Sequence, residues 1–341
     1  MSEPLVSIQI ITYNHAPFIA QAIEGVLKQE TNFPFELVIG EDCSTDGTRE
    51  IVFEYQKKYP HIIGVITSEK NVGAKKNFYR TMKACRGKYI AFCEGDDYWH
   101  HPLKLQKQLD YLESHPECGL LFADYDLYHV NSRRLIKSYN CRKGFESFAD
   151  LTTEDLLGSR RLMTLTAVIR RDLYEQVVEK DPYLHQSESF LMGDTQLWVE
   201  AALISKVSYK PESLATYHVH GESASNSRDQ IKHLRFYKSN YEMRLYLFDK
   251  HKLSEDMRKE AEAVWYEKTL QLAFYERNVE LASEIKRKKR TFTLKEWLLY
   301  FGANYFAIHY LCRGAIFFLN TFRTLQNRMS EDYSRAAGAS L

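Results

Sequence analysis

The sequence predicts an α/β fold: a mostly parallel sheet with helices on both faces, followed by a helical C-terminal region. Three observations predict it. Apolar β-rich runs and helix-periodic segments alternate through the first 126 residues. The first run, Val6–Tyr13, is apolar enough for a strand covered on both faces. From Arg228 onward the pattern is helical, with no convincing strand.

The elements follow in order. Val6–Tyr13 reads as the first strand. Pro17–Gln29 has helical spacing through Ile19, Ala22, Ile23, Val26 and Leu27, with Pro17 near the first turn. Glu36–Glu41 is the second strand. Ser44, Thr45 and Asp46 then supply cap chemistry for a helix over Thr48–Tyr59. Strand Ile62–Thr67, helix Lys75–Cys85, strand Tyr89–Cys93, helix Pro102–Ser114 and strand Gly119–Asp124 complete the succession. Residues 133–227 are mixed. Strand signals lie at Leu165–Arg170 and Ala215–His218, and helices near Asp172–Glu179 and Thr195–Ile204. The pattern places a domain at 1–226 and a helical region at 227–341.

Composition bounds the function. The 341 residues are 44% hydrophobic and 27% charged, which excludes a wholly disordered chain. Lys and Arg number 46 against 45 Asp and Glu, a balance that argues against a nucleic-acid partner. The balance hides an asymmetry: residues 228–341 carry 21 basic and 14 acidic side chains, leaving 25 and 31 for residues 1–227. The six cysteines lie in predicted core segments without zinc spacing, as reduced thiols of a cytoplasmic protein would. Met1–Pro4 leads into a strand without a basic leader segment. The longest uncharged apolar stretch, Trp297–Cys312, has 16 residues, short of a bilayer span.

In an open α/β sheet, ligands sit beyond the carboxyl ends of the strands. Thr12, Tyr13 and Asn14 follow the first strand. Glu41, Asp42, Cys43, Ser44, Thr45 and Asp46 follow the second, and Glu94, Gly95, Asp96 and Asp97 follow the fourth. Any one cluster is ordinary helix-cap chemistry; three on one edge suggest a site. Carboxylates crowded as in 94–97 repel unless a cation or proton joins them. Hard oxygen ligands favour Mg²⁺ or Mn²⁺, and a diphosphate is the natural partner of such an ion. Gly95 permits a tight turn and a close approach by a ligand. The sequence has neither the phosphate loop GxxxxGK[ST] nor GxGxxG after a strand. The Gly-Asp-Asp of polymerases would need a hairpin and a basic channel, and neither pattern surrounds it. Asp194, after Gly193 and before a helix pattern, reads on its own as an N-cap.

VSIQIITYN (6–14), EDCSTDGT (41–48), Asn71-Val72-Gly73 and YIAFCEGDD (89–97) together resemble the family-2 glycosyltransferases. The resemblance covers roughly residues 4–226. It implies a GT-A fold and metal-dependent, inverting transfer from a nucleotide sugar. It implies that Thr12, Tyr13 and Asn14 lie against the nucleoside. Asp42 hydrogen-bonds the base, usually uracil, with Glu41 beside it on the donor side, and Lys75 or Lys76 approaches the donor. Glu94 and Asp96 match the ends of the DxD motif. Asp96 is the metal contact, and Glu94, in place of the usual Asp, suits a ribose or outer role. Asp97 orients the donor sugar or the loop. Asp194 falls at the catalytic aspartate, although this chain has Gly-Asp where the family often has Glu-Asp. His220, with His218 as competitor, completes the metal shell or contacts the diphosphate, and Ser223 and Ser225 donate to phosphate as the loop orders.

The tail carries Lys286–Arg290 (KRKKR) before an aromatic segment. At 100° per residue Gly302, His309, Arg313, Asn320, Arg323 and Asn327 form one stripe. That arrangement suits an anionic membrane surface, with a core-packing helix or homo-oligomer contact as the rival. The acceptor expected by resemblance is a glycan or a lipid-linked saccharide. The alternatives are a non-catalytic assembly scaffold and, further off, a sugar-phosphate nucleotidyltransferase.

Overall fold

The computed structural model describes residues 3–158, 162–221, 229–305, 309–312 and 314. The chain divides into two compact units, Met1–Ser223 and Ala224–Leu341, where the sequence pattern places a boundary at 226. In the first unit the elements run β1 (Val6–Thr12), α1 (Ile19–Leu27), β2 (Phe35–Glu41), α2 (Thr48–Lys58), β3 (Ile63–Ile66), α3 (Ala74–Met82), β4 (Tyr89–Glu94), β5 (Tyr98–Trp99), α4 (Lys104–Ser114) and β6 (Cys118–His129). Then come β7 (Arg134–Ile136), β8 (Ala149–Asp150), α5 (Thr153–Leu157), β9 (Val168–Arg170), α6 (Arg171–Lys180), α7 (Pro182–Gln186), α8 (Thr195–Ala202) and β10 (Lys206–Val219).

One sheet joins all ten strands in the order β3-β2-β1-β4-β9-β6-β10-β5, with β7 on β6 and β8 on β10. Its long ladders, β1 with β2 and β4 and β6 with β10, are parallel. The sequence succession puts β6 next after β4, but β9 inserts between them, antiparallel to both. Val168 and Ile169 are fully buried there, so three residues suffice for a central strand. β10 is far longer than its signal at Ala215–His218. Its first half carries Lys206 and Lys210 and shifts register between Lys210 and Ser213, around Pro211, which masks the strand period.

Helices cover both faces because β1 has two buried faces of different chemistry. Val6, Ile8 and Ile10 pack with Ile19, Ala22, Ile23 and Val26 of α1 and Leu105, Leu109 and Leu112 of α4. On the other face Ser7 donates to Glu36 at 2.6 Å, and Gln9 donates to the Phe78 carbonyl of α3 at 2.8 Å. These two polar side chains are buried, and each has the partner that burial demands. On β4, Phe92 stacks on Phe78 and meets the edge of Trp198 in α8. Trp198 is therefore core.

All six cysteines are free thiols. Lys104, at the start of α4, is fully buried. Its ammonium lies 4.1 Å from the Trp99 ring centroid and donates to Gln108 at 2.7 Å. Burial pushes its pKa down to about 7.

The second unit contains α9 (Gln230–His251), α10 (Glu255–Glu276), α11 (Val279–Lys288) and α12 (Leu294–Asn304). Side-chain caps start each helix: Asp229, Ser254, Asn278 and the Thr293–Glu296 capping box. Its core joins Trp265, Leu270, Phe274, Ile285, Leu299 and Cys312. Two expectations change here. The stripe begins inward rather than outward: a Cβ on Gly302 would lie 2.2 Å from Phe274, and the His309 ring stacks on Phe274 at 4.3 Å. Continuous phase is also lost, because α12 ends at Asn304. The basic run is partly spent within the unit. Lys286 lies over Trp297, Lys288 pairs with Glu284, and Lys289 pairs with Glu296. The rest of the stripe, Arg313 to Asn327, lies outside the described residues, as do Ser223 and Ser225. Among the described residues no helix is long and apolar enough to cross a membrane.

Lys104 yields a prediction. Below pH 7 it is charged both folded and unfolded, so its full burial penalty applies. Between pH 7 and its unfolded pKa, the unfolded chain binds the extra proton and stability rises with pH. Relative to Lys104→Met, the native chain should gain stability over that window by up to about 1.4 kcal/mol per pH unit. Urea unfolding at a series of pH values checks this, and a constant difference between the two proteins would contradict it.

Candidate active site

The carboxyl ends of β1, β2 and β4 are adjacent because Thr12 pairs with Glu41 and Ile11 with Glu94. The chain leaves β4 through Gly95, whose amide donates to the Ile11 carbonyl at 3.0 Å. A Cβ on Gly95 would lie 2.6 Å from Thr12 Oγ1 and 2.9 Å from His15 Nδ1. The sequence expects a tight turn and a close approach by a ligand at this glycine; the neighbours that leave no room for a side chain are Thr12, at the end of β1, and His15, in the loop after it.

The three carboxyl groups that follow meet different surroundings. Asp96 Oδ2 accepts from His220 Nε2 at 2.9 Å, and His15 Nε2 stands 3.9 Å from the same oxygen. Burial raises the Asp96 pKa, but the His220 hydrogen bond and the His15 charge outweigh it, and the group sits below its ordinary value. Asp97 Oδ1 accepts the His218 backbone N–H at 2.8 Å. Burial, then the charges of Asp96 and Glu94, raise Asp97 well above the usual carboxylate range. Glu94 Oε2 is buried without a hydrogen-bond partner among the described residues. Burial, then the charges of Asp96 and Asp194, push Glu94 up to about 8.

His218 and His220 arrive together on the end of β10. His220 faces the Asp96 carboxylate. His218 Nδ1 lies 2.5 Å from the Asp96 backbone carbonyl, which can only accept, so that nitrogen carries the hydrogen. Phe18 packs on both rings, at 5.2 and 5.0 Å between centroids. Asp97 is thus occupied in docking the end of β10.

Asp194 is the N-cap of α8 and partly exposed. Its Oδ1 accepts the Thr195 N–H at 2.6 Å and its Oδ2 accepts the Thr164 hydroxyl at 2.8 Å. The Asp194 charge raises the Glu94 pKa, and the Phe92 N–H of β4 donates to the Ala167 carbonyl just beyond the Thr164 turn at 3.3 Å. The acidic turn and Asp194, a hundred residues apart in sequence, therefore share one edge of the sheet.

The β2 end departs further from the sequence reading. The Glu41 side chain is inaccessible. It accepts from Ser44 N–H, Arg49 Nε and Thr67 Oγ1, which hold it below its ordinary pKa against the opposing effect of burial. It shapes the loop and has no surface to offer a donor. Asp42 is 1% exposed and accepts the N–H groups of Val72 and Gly73, both at 2.9 Å, with Arg80 at 3.4 Å. A carboxylate offers about four acceptor positions, so one remains. Asn14, at φ 56, accepts from Thr45 N–H through its side chain, while Ser44 accepts its own N–H. Tyr13 is 43% exposed beside it. The Lys75 ammonium donates to the carbonyls of Ser187, at 2.6 Å, and Phe190, at 3.2 Å, so it ties α3 to the segment before Asp194 instead of projecting freely. Burial lowers it to about 8.

His15, Thr164, Arg49 and Arg80 escaped the sequence reading. His15 had a signal, since it directly follows Asn14 at the first strand's end. Thr164 had none, for nothing local marks a threonine that meets a residue thirty positions away. Among the described residues no group of three or more His, Cys, Asp or Glu side chains is placed to hold a metal ion.

The comparisons agree with this geometry. The model of the family described as Glycosyl transferase family 2 matches residues 7–177, half of the chain. An uncharacterized protein of Mycobacterium tuberculosis is 34% identical over 235 residues, 66% of this chain and 62% of that one. The putative teichuronic acid biosynthesis glycosyltransferase TuaG of Bacillus subtilis is 32% identical over 175 residues, 51% of this chain and 66% of that one. The chain thus spans less than two thirds of these relatives' length. Staphylococcus aureus TarS 1–349, solved with UDP-GlcNAc, superposes with TM-score 0.53 at 20% identity, covering 87% of this chain and 79% of that one. The mannosyltransferase PcManGT of Pyrobaculum calidifontis, solved with GDP-Man and Mn²⁺, gives 0.56 at 14%, covering 93% and 84%. At these identities the likeness shows the fold, which is GT-A. The chain belongs to glycosyl transferase family 2.

Gly95→Ala should cost about 1–3 kcal/mol, because Thr12 and His15 must move to admit the methyl group. Unchanged thermal unfolding would refute the packing assignment.

Proposed function

We propose that the chain transfers a sugar, with inversion, from a nucleoside-diphosphate donor, UDP-linked, to a hydroxyl of a glycan or lipid-linked acceptor. The observation that carries this reading is the convergence of Asp194 with the 94–97 turn on one sheet edge, where Thr164 bonds Asp194 and the Asp194 charge acts on Glu94. A scaffold would have no need to hold four carboxyl groups together at a loss of solvation. TuaG is a putative teichuronic acid biosynthesis glycosyltransferase and TarS was solved with UDP-GlcNAc, which supports the acceptor and donor classes.

A divalent ion, Mn²⁺ or Mg²⁺, would take the Asp96 carboxylate as an oxygen ligand, the rest of its shell coming mainly from the donor's diphosphate. Ligand atoms around one such ion at roughly 2.1 Å are themselves about 3 Å apart. His220 Nε2 and His15 Nε2 stand 2.9 and 3.9 Å from Asp96 Oδ2, close to that spacing. Asp96 with His220 would hold the ion. When bound, it offsets the negative charge of the departing diphosphate.

The chain's own residues do the rest. Tyr13 offers an exposed ring for the nucleobase, beside the loop that buried Asp42 pins through the Val72 and Gly73 N–H groups. Asp194 is held on one side by a helix N–H and on the other by Thr164. It removes the proton of the acceptor hydroxyl as that oxygen bonds the anomeric carbon, opposite the leaving diphosphate. The C–O bond to diphosphate breaks in the same displacement, so no protein nucleophile is required. Holding base, acceptor and donor in line supplies most of the rate.

Asp194→Asn should abolish transfer and donor hydrolysis while UDP affinity in Mn²⁺ stays within about two-fold. Sugar transfer at the native rate would remove Asp194 from the base role. Asp96→Ala should weaken Mn²⁺-dependent UDP binding in titration calorimetry. An unchanged dissociation constant would exclude Asp96 as an ion ligand.

A further inference from the structure

Asp194 ends an irregular segment, and a carboxylate on a loop-to-helix junction can rotate about its side-chain bonds. The Thr195 N–H fixes only Oδ1. What fixes Oδ2 is the Thr164 hydroxyl at 2.8 Å, and the turn that presents it is firmly held. Thr164–Thr166 is a single 3₁₀ turn whose Leu165 and Thr166 are fully buried. The Leu165 carbonyl accepts the Trp99 indole N–H at 2.9 Å. The Thr166 carbonyl accepts Gln108 Nε2 at 2.8 Å, and the Thr166 hydroxyl closes back on the Met163 carbonyl at 2.8 Å. Core residues of β5 and α4 therefore set the position of one hydroxyl at the site.

We infer that Thr164 is the positioning residue of the transfer reaction, fixing the orientation of the Asp194 carboxylate. This rests on the reading of Asp194 as the base. The hydroxyl donates to one lone pair of Oδ2 and leaves another for the acceptor. The Ala167 carbonyl, directly after the same turn, accepts the Phe92 N–H of β4 at 3.3 Å, so the turn that holds the base is tied to the strand that leads into the donor-side turn. The role requires a hydroxyl and nothing else of the side chain. Serine should therefore serve, and the isosteric valine should fail although it fills the same space.

The test measures kcat and donor KM with Mn²⁺ and UDP-glucose, UDP-galactose and UDP-GlcNAc, following hydrolysis and transfer. Thr164→Val should lower kcat about 10- to 100-fold, as loss of a hydrogen bond to a charged group does, with melting temperature and donor KM held. Thr164→Ser should recover most of the rate. Native kcat in Thr164→Val, no recovery in Thr164→Ser, or a loss confined to KM and melting temperature would overturn the inference while leaving the base reading intact. Native turnover by Asp194→Asn alone would instead sink the base reading. A crystal structure of Thr164→Val gives a readout independent of the sugar. Asp194 should lose its single orientation there, and an unmoved carboxylate would refute the role.

Discussion

Four carboxyl groups, Glu94, Asp96, Asp97 and Asp194, crowd one edge of the sheet, where burial makes every uncompensated negative charge expensive. The protein resolves the repulsion by giving each group a different partner. Asp96 is matched by two imidazoles, Asp97 by a backbone N–H, and Asp194 by a helix N-terminus and a hydroxyl. Glu94 is left with a buried oxygen and a raised pKa. That division of environments separates groups of identical chemistry into different tasks.

The same constraint explains the course of the chain around the site. β10 runs back through the sheet beside β6 and ends with two histidines next to the turn that needs them. Asp97 captures the His218 amide, so the acidic turn itself helps to fix the strand that brings its counter-charge. β9 enters between β4 and β6 and follows directly on the Thr164 turn. A short buried strand thereby helps to fix how far Asp194 stands from the acidic turn.

The buried supports are as polar as the site. Glu41, Asp42, Arg49 and Arg80 form a hydrogen-bonded floor under the β2 end, and Lys75 anchors the segment that precedes Asp194. Such networks hold loops in one arrangement because each unsatisfied member would cost its full desolvation. In the helical unit the same reasoning moves Lys286, Lys288 and Lys289 from a free basic patch to aromatic faces and carboxylates.

Local sequence determined the alternating strands and helices through β6, since hydrophobic period is written residue by residue. It also marked the strand ends where Thr12, Asp42 and Asp96 emerge, because polar residues following a buried run have one place to go. Tertiary structure alone decided the insertion of β9, the full length of β10, which imidazole meets Asp96, and the meeting of Thr164 with Asp194. Those depend on which distant segments pair. The free energy of pairing lies in the packed sheet, which no window of sequence contains. It likewise reassigned Glu41 and Lys75, whose charges look free in the sequence until folding encloses them with partners.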